Sequence, residues 1–194
     1  MAYQTILLFG TPGSGKGTLG KVLGMIPRFF HCACGDIFRS LDTRTEIGKA
    51  FIQYSSKGNL VPDEITLDLW KARIQSSVDS HVFKPDIDTL VLDGIPRNLR
   101  QAELMLGVLE VVHVFHLRCD DREELFTRLR KRALKENRFD DANDSVISSR
   151  LETFKNESQP VLDHYGPKLV HEINAQQLPY RVVFDVLEAI AKAA

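Results

Sequence analysis

The chain has 194 residues, of which 43% are hydrophobic, and its formal net charge is −1. This length and apolar fraction suit one compact domain with a sizeable core, and the near-neutral charge argues against a dedicated nucleic-acid-binding protein. No apolar run approaches the roughly 20 residues that cross a membrane. The three cysteines are too few and too irregular for a disulfide framework, and the N-terminus shows no cleavable leader. We therefore expect a cytoplasmic protein with reduced thiols.

A glycine-rich stretch follows the first predicted strand. Residues 6–9 are apolar and predict a buried strand, and apolar residues recur at helical spacing from Leu19 onward. Between them runs the pattern G-x-x-x-x-G-K, from Gly10 to Lys16. Glycines let backbone N–H groups approach phosphate oxygens, a helix N-terminus adds partial positive charge, and the lysine reaches the terminal phosphates. This stretch predicts a site for nucleotide phosphates.

The position after the lysine narrows the class of phosphate-binding protein. In the general phosphate loop a Ser or Thr directly follows the lysine and binds the magnesium ion. Here Gly17 follows Lys16, and Thr18 comes one place later. A switch GTPase or a motor ATPase normally keeps that hydroxyl, so we expect phosphates and waters to hold the magnesium ion instead.

The remaining predicted elements alternate between strands and helices. Further strands are predicted at 29–32, 89–92, 111–117 and 169–173. Further helices are predicted over 43–57 with a stop at Gly58, over 99–109, over 122–135 and over 181–192. Three more are predicted from their N-terminal ends: one from Gly35 with Asp36 as N-cap, one from Asp63 as N-cap, and one from Asp144 as N-cap to a bend or break at Pro160. This alternation predicts an α/β fold with a parallel five-stranded sheet, helices on both faces and ligands at the carboxyl ends of the strands.

Charged residues cluster near those predicted strand ends. Asp93 ends the third strand before a Gly-x-Pro turn, where an acid in a phosphate-loop protein serves the magnesium ion of the nucleotide. Arginines lie near the ends of elements or beside the polar segment that follows residue 135: Arg39, Arg97, Arg128, Arg132, Arg138 and Arg150. Transfer of a phosphoryl group between two nucleotides brings two phosphate chains into one cleft, and the planar fork of arginine binds phosphate oxygens in pairs.

Together these motifs resemble the nucleoside monophosphate kinases, and adenylate kinases above all, over essentially the whole chain. The matching segments are the glycine loop, Gly-Asp-x-x-Arg at 35–39, Gly-Asn-Leu-Val-Pro-Asp at 58–63, Asp-Gly-Ile-Pro-Arg at 93–97 with Ile95 in place of the usual Phe, Gln101, Arg128-x-x-x-Arg132, Arg138-x-Asp140-Asp141 and Arg150. The resemblance implies a P-loop NTPase-type three-layer fold and a single domain over residues 1–194. It also implies a helical acceptor-binding segment at about 36–65 and a short lid at about 133–143.

The resemblance also implies roles for individual residues. Catalytic roles fall to Lys16, Arg97, Arg128, Arg138 and Arg150. ATP binding falls to Gly13, Ser14, Gly15, Lys16, Gly17, Thr18, Arg128 and Arg132. AMP binding falls to Cys34, Arg39, Val61, Gly94, Arg97, Gln101, Arg138 and Arg150, and Asp93 serves Mg²⁺ through water.

The short lid also bears on cofactors and partners. Long-form relatives insert a small β-subdomain at the lid, often with four zinc-binding cysteines, and neither that length nor those cysteines are present. We therefore expect Mg²⁺ with ATP as the cofactor, and no zinc. ATP and AMP are the implied small-molecule substrates of a monomer that binds neither nucleic acid nor membrane.

One position departs from the adenylate kinase pattern and keeps alternatives open. Ala33-Cys34 stands where adenylate kinases usually have Ser-Thr, and relatives that phosphorylate UMP and CMP often carry alanine there. Those relatives tend to replace the adenine-reading glutamine with asparagine, whereas Gln101 is retained, and its amide can make paired hydrogen bonds to adenine. The leading hypothesis is reversible transfer of the terminal phosphoryl group of Mg-ATP to AMP, giving two ADP. The alternatives are a UMP/CMP or broad-specificity monophosphate kinase and a non-catalytic nucleotide-binding regulatory protein.

Overall fold

A parallel sheet of five strands forms the centre of the computed structural model, which describes residues 2–136, 138 and 143–193. The strands are β1 (Tyr3–Gly10), β2 (Phe29–Ala33), β3 (Thr89–Asp93), β4 (Leu109–Arg118) and β5 (Val170–Asn174). Their order in the sheet is β2-β3-β1-β4-β5, and every neighbouring pair is parallel. The strand that leads into the glycine loop therefore lies at the middle of the sheet.

Helices connect successive strands, as parallel pairing requires. In the described part of the chain they are α1 (Lys16–Leu23), α2 (Cys34–Arg39), α3 (Glu46–Ser55), α4 (Asp63–Asp79), α5 (Leu99–Leu104), α6 (Arg122–Glu136), α7 (Asp144–Thr153), α8 (Gln159–Tyr165) and α9 (Pro179–Ala193). A π-helical turn, Phe154–Ser158, joins α7 to α8. None of these described helices combines the length and the apolar character needed to cross a membrane.

The two faces of the sheet carry separate hydrophobic cores. Alternate side chains of β1 point to opposite faces, so Leu7 and Phe9 pack with Trp70 of α4, while Ile6 and Leu8 pack against α1 and α9. All of these side chains are buried. The arrangement confirms the predicted three-layer α/β fold with a five-stranded parallel sheet and helices on both faces.

The predicted N-caps differ from the observed ones. Ala33 occupies the cap position of α2, and Asp36 lies in the first turn, where it pairs with Arg39. Pro62 occupies the cap position of α4, since the side chain of Asp63 bonds to α5 instead. In α7 the cap is Asn143, whose side chain accepts a hydrogen bond from the backbone N–H of Ser145.

Two predicted helix ends have identifiable causes. The helix predicted over 99–109 stops at Leu104, because the chain turns at Gly107 (φ +75°) and Leu109 already pairs with β1. The expected interruption near Pro160 is confirmed and takes the form of the π-helical turn. Proline has no N–H to donate to the carbonyl of the preceding turn, so regular α-helical bonding stops before it.

Candidate functional site

A cleft with a volume of about 930 Å³ opens at the carboxyl ends of the central strands. This is where a doubly wound parallel sheet places its ligands, and the volume suits nucleotide-sized molecules. Its lining includes every site residue predicted from the sequence: Gly13, Ser14, Gly15, Lys16, Gly17, Thr18, Cys34, Arg39, Val61, Asp93, Gly94, Arg97, Gln101, Arg128, Arg132, Arg138 and Arg150. The fold thus brings together residues that are up to 137 positions apart, from Gly13 to Arg150.

The glycine loop contains positions that only glycine can occupy without strain. Gly13 and Gly15 have φ of +88° and +101°, a region that side chains with a Cβ rarely adopt. A Cβ on Gly13 would also lie 3.2 Å from the carbonyl oxygen of Leu125 on α6, so the loop packs closely against that helix. The side-chain oxygens of Thr11 and Ser14 are buried without a hydrogen-bond partner among the described residues. The loop therefore keeps polar groups available for a ligand.

Lys16 points back into its own loop. Its Nζ donates hydrogen bonds to the carbonyl oxygens of Gly10, at 2.6 Å, and Thr11, at 3.1 Å. Burial lowers the pKa of Lys16 to about 8. The charge of Asp93 opposes this shift, whereas the charges of Arg132, Arg97 and Arg150 add to it. The ammonium group therefore lies among three guanidinium groups and one carboxylate, which strongly favours binding of a polyanion.

Asp93 lies beside the first turn of α1, where a magnesium ion bound to nucleotide would be expected. A Cβ on Gly17 would be 3.6 Å from Oδ2 of Asp93, so the glycine leaves the carboxylate open toward the loop. Mg²⁺ in kinase sites is typically held by one or two carboxylates together with substrate phosphates and waters. A single carboxylate beside a phosphate loop fits that donor set. The described residues hold no group of three or more His, Cys, Asp or Glu side chains that could bind a metal ion by themselves.

The start of α2 forms one wall of the cleft. Cys34 is 2% exposed, and burial raises the pKa of its thiol to about 11, so the thiol stays neutral at physiological pH. Arg39 pairs with Asp36 over 2.6 Å and lies across Gly35. Burial disfavours ionisation of Asp36, but the hydrogen bond from Arg39 and the charges of Arg39 and Arg138 still hold its pKa below the usual value. A cation on α2 and a cation beyond α6 therefore act on the same side of the cleft.

A hydrogen-bonded group lies behind this wall, between α4 and α5. Gln101 is 1% exposed; its Oε1 accepts from the backbone N–H of Arg97 at 2.7 Å, and its Nε2 donates to Asp63 at 2.8 Å. The guanidinium of Arg97 donates from Nε to the carbonyl oxygen of Gly94 at 2.8 Å. The backbone carbonyl of Arg97 in turn accepts from Ser158, at 2.7 Å. Arg97 is thus held at its backbone and its side chain.

The helix that carries Arg150 is bonded to the end of α3. Ser149 donates to the carbonyl oxygen of Lys57 at 2.9 Å, and Thr153 donates to that of Gly58 at 3.2 Å. Gly58 has φ of +75°, and a Cβ there would be 2.9 Å from Ser149 and 3.1 Å from Arg150. These contacts fix α7 against the segment predicted to bind the acceptor.

The predicted lid connects α6 to α7 and is described in part. Arg138 donates from Nε to Glu136 at 2.6 Å, and its side chain is 13% exposed. Asp140 and Asp141 of the predicted Arg-x-Asp-Asp motif lie outside the described residues, as do residues 137, 139 and 142 of the predicted lid. Arg132 lines the cleft from the last turns of α6.

Arg128 lies at the opposite end of the cleft from α2. Its guanidinium donates to Glu124, one helical turn earlier, and to the carbonyl oxygen of Ala175 at 2.9 Å. Ala175 follows β5 directly, and Tyr180 at the start of α9 lines the same end of the cleft. An arginine and an aromatic side chain at the same end of a cleft suit a base that binds by stacking.

Sequence reasoning missed several residues of the site. Thr66 and Ser158 are both buried and line the cleft, and each donates to a backbone carbonyl there, Thr66 to Val61 and Ser158 to Arg97. A buried hydroxyl on the apolar face of α4 is a signal that could have revealed Thr66. Ser158 lies 61 residues from its partner, and nothing in the local pattern marks it.

Comparison with known proteins agrees with this geometry. Residues 8–170 match the family model described as adenylate kinase. The chain is 36% identical to a protein named adenylate kinase from Thermobifida fusca, over 88% of this chain and 89% of the relative. It is 33% identical to one from Bacteroides thetaiotaomicron, over 96% and 98% of the two chains, and 33% identical to one from Flavobacterium psychrophilum, over 87% and 88%.

Proposed function

The chain belongs to the adenylate kinase family, and from this premise we propose how its cleft performs the reversible transfer of the terminal phosphoryl group of Mg-ATP to AMP, giving two ADP. The observation that carries the proposal is one cleft whose lining brings together Lys16, Asp93, Arg97, Arg132 and Arg150. Phosphoryl transfer needs little covalent chemistry from the protein, so catalysis rests on positioning and on stabilising negative charge. A ring of cations around a phosphate loop meets that need.

On the donor side, the N–H groups of the glycine loop and the N-terminus of α1 hold the phosphates of ATP. Lys16 exchanges its bonds to Gly10 and Thr11 for bonds to the terminal phosphates. Mg²⁺ neutralises phosphate charge when it is bound with the nucleotide, and Asp93 accepts hydrogen bonds from the waters around it. Arg128 and Tyr180 flank the base, and Arg132 reaches the phosphates from α6.

On the acceptor side, Arg39 and Arg97 bind the phosphate of AMP. Gln101 and the backbone near Val61 and Gly94 contact the base, and Cys34 lines the adjoining wall. Arg138 and Arg150 approach the transferring group from beyond α6 and from α7. We place both arginines between the two nucleotides, where charge develops in the transition state and where donors aligned in advance stabilise it most.

The domain organisation follows from these roles. We propose one catalytic domain over residues 1–194, in which the segment at about 36–65 binds the acceptor and the segment at about 133–143 covers the nucleotides. We further propose that the protein works as a cytoplasmic monomer, requires Mg²⁺ but no structural zinc, and binds neither nucleic acid nor membrane.

A panel of acceptors tests this function. Purified protein is given Mg-ATP with AMP, UMP, CMP or GMP, and formation of each diphosphate is followed by chromatography. We expect rapid ADP formation from AMP and slow turnover of CMP and UMP. Preference for CMP would transfer the assignment to a pyrimidine monophosphate kinase. Binding of nucleotides without turnover of any acceptor would indicate a regulatory protein that has lost catalysis.

A further inference from the structure

The amide of Gln101 is held from two sides by groups of opposite hydrogen-bonding character. On one side, the backbone N–H of Arg97 donates to Oε1 at 2.7 Å. On the other side, Oδ1 of Asp63 accepts from Nε2 at 2.8 Å. Asp63 lies at the first position of α4 and is not part of the cleft lining, whereas Gln101 is. Asp63 therefore holds the amide from outside the cleft lining, whereas Arg97 holds it from within that lining.

Neither partner can exchange roles. An ionised carboxylate only accepts hydrogen bonds, and a backbone N–H only donates. Rotating the amide by half a turn would place Oε1 against the carboxylate of Asp63 and the NH₂ group against the N–H of Arg97. Both contacts would then be repulsive, at a site where Gln101 is only 1% exposed and water cannot compensate.

Asp63 is itself held in place. The same Oδ1 accepts a second hydrogen bond from Nδ2 of Asn98 at 2.9 Å, and Asn98 caps α5 by accepting from the backbone N–H of Gln101 at 2.8 Å. The Asp63 side chain is 15% exposed, and Nε of Arg100 lies 3.9 Å from its Oδ2. A half-buried cap and an ion pair thus keep the carboxylate directed at the amide.

We infer that Asp63 is a positioning residue that fixes the orientation of the Gln101 amide and thereby sets which acceptor bases the enzyme accepts. The inference rests on the proposed function, in which Gln101 contacts the acceptor base. After its two internal bonds the amide keeps one N–H and one oxygen lone pair. Asp63 and Arg97 therefore determine on which side of the amide the free N–H lies and on which side the free oxygen lone pair lies.

This fixed order discriminates between bases of the same shape. Adenine offers an acceptor at N1 beside a donor at its 6-amino group, which complements one orientation of an amide. Hypoxanthine offers a donor at N1 beside an acceptor at its 6-oxo group, so it needs the amide reversed. A site that leaves its buried polar groups unpaired rejects the wrong substrate strongly. Asp63 therefore enforces rejection of IMP without touching it.

The test compares AMP with IMP as acceptors for wild type, Asp63→Asn and Asp63→Ser. Amide and hydroxyl groups can donate or accept, so residue 63 no longer imposes a direction on Gln101 in either variant, and only the backbone N–H of Arg97 still favours one orientation. Glu64→Gln is the matched control, since Glu64 is the next residue of α4 and its carboxylate binds Arg100 instead. Initial rates with saturating Mg-ATP give kcat and KM for each acceptor, and thermal unfolding confirms that each variant is folded.

We expect the ratio of kcat/KM for AMP to that for IMP to fall about tenfold or more in a folded Asp63 variant, mainly through KM, and to stay unchanged in Glu64→Gln. An unchanged ratio in the folded Asp63 variants, even with lower activity toward both acceptors, would overturn the inference and leave Asp63 a merely structural residue. If wild type transfers no phosphate to AMP, the proposed function fails, and this inference fails with it.

Discussion

Nζ of Lys16 lies 2.6 Å from the carbonyl oxygen of Gly10, the last residue of β1 and the first of the loop that Lys16 itself closes. Carbonyl groups of the loop thus occupy the position that a phosphate would take beside Lys16. Their dipoles stabilise the charged form of the ammonium group, which burial disfavours. The same bond sets a condition on phosphate binding. Phosphate oxygens must compete with two carbonyl oxygens for this ammonium group, and they do so with full negative charge.

Removing this ammonium group tests the donor side of the site. We expect Lys16→Met to lower kcat by about 100-fold or more, the scale of losing one positioned electrostatic group. Lys71→Met is the matched control, because Lys71 is exposed on α4 and lies outside the cleft lining. Steady-state kinetics with AMP and Mg-ATP measure both variants. Near-normal turnover in folded Lys16→Met would contradict the assignment of the phosphate loop.

The lowered pKa of Lys16 predicts proton uptake on nucleotide binding. In the free protein the pKa is about 8, so the group is largely neutral above that pH. Phosphates next to the ammonium group raise its pKa, and the complex therefore binds a proton that the free protein lacks. Calorimetry at about pH 8.5, in buffers of different ionisation enthalpy, should show uptake by wild type. We expect Lys16→Met to show much less, and equal uptake by both proteins would refute this origin.

Metal dependence is predicted from Asp93 and Gly17. With one carboxylate, and with Gly17 where a hydroxyl residue usually follows the lysine, the protein alone offers too few ligands to retain Mg²⁺ firmly. We expect activity to disappear in EDTA and to return fully with added Mg²⁺. Elemental analysis of the purified protein should find less than stoichiometric zinc. Stoichiometric zinc that survives dialysis would refute the zinc-free interpretation of the short lid.

Acceptor choice is predicted to depend on Cys34 and Gln101 in opposite ways. Cys34 offers a weak, neutral thiol to the acceptor wall, so Cys34→Thr should sharpen the preference for AMP by adding a hydroxyl. Gln101→Asn shortens the side chain and withdraws the amide from its bonds to Asp63 and Arg97, so it should weaken that preference. The quantity to compare is kcat/KM for AMP against CMP. An unchanged ratio in Gln101→Asn would remove Gln101 from base recognition.

Stability should be sensitive to Gly58 in particular. Gly58 and Gly107 have the same φ, +75°, but a Cβ on Gly107 meets nothing within 4 Å, whereas one on Gly58 lies 2.9 Å from Ser149. Gly107→Ala therefore isolates the backbone strain, expected to lower the free energy of unfolding by about 1 kcal/mol. Gly58→Ala adds the clash with α7 and should cost clearly more. If both variants lose the same free energy of unfolding in urea, α7 must shift at this contact without measurable cost.

Most of the architecture was predictable from the sequence, because its signals are local. Buried strands such as 89–92 are continuous apolar runs, and the glycine loop has a fixed spacing that follows from phosphate geometry. The fold that these signals predict, a five-stranded parallel sheet between helices, is confirmed. Helix starts were less predictable, since Asp36 and Asp63 are good cap residues whose side chains are taken by Arg39 and Gln101 instead.

The candidate site was predictable only where a motif marks it. Lys16, Asp93 and the arginines stand in recognisable patterns, and the cleft brings them together, although their roles stay predictions. The partners of those residues were not predictable. Asp63 is 38 residues from Gln101, and Ser158 is 61 from Arg97, so only the fold reveals that each holds the other.

The two hydrogen bonds from α7 to the turn after α3 have a consequence for the charges around Lys16. Ser149 and Thr153 fasten the helix of Arg150 to the carbonyls of Lys57 and Gly58. Under the proposed roles, these bonds tie the arginine of α7 to the segment that binds the acceptor. Any displacement of residues 57–58 would therefore carry Arg150 with it and alter the set of charges around Lys16.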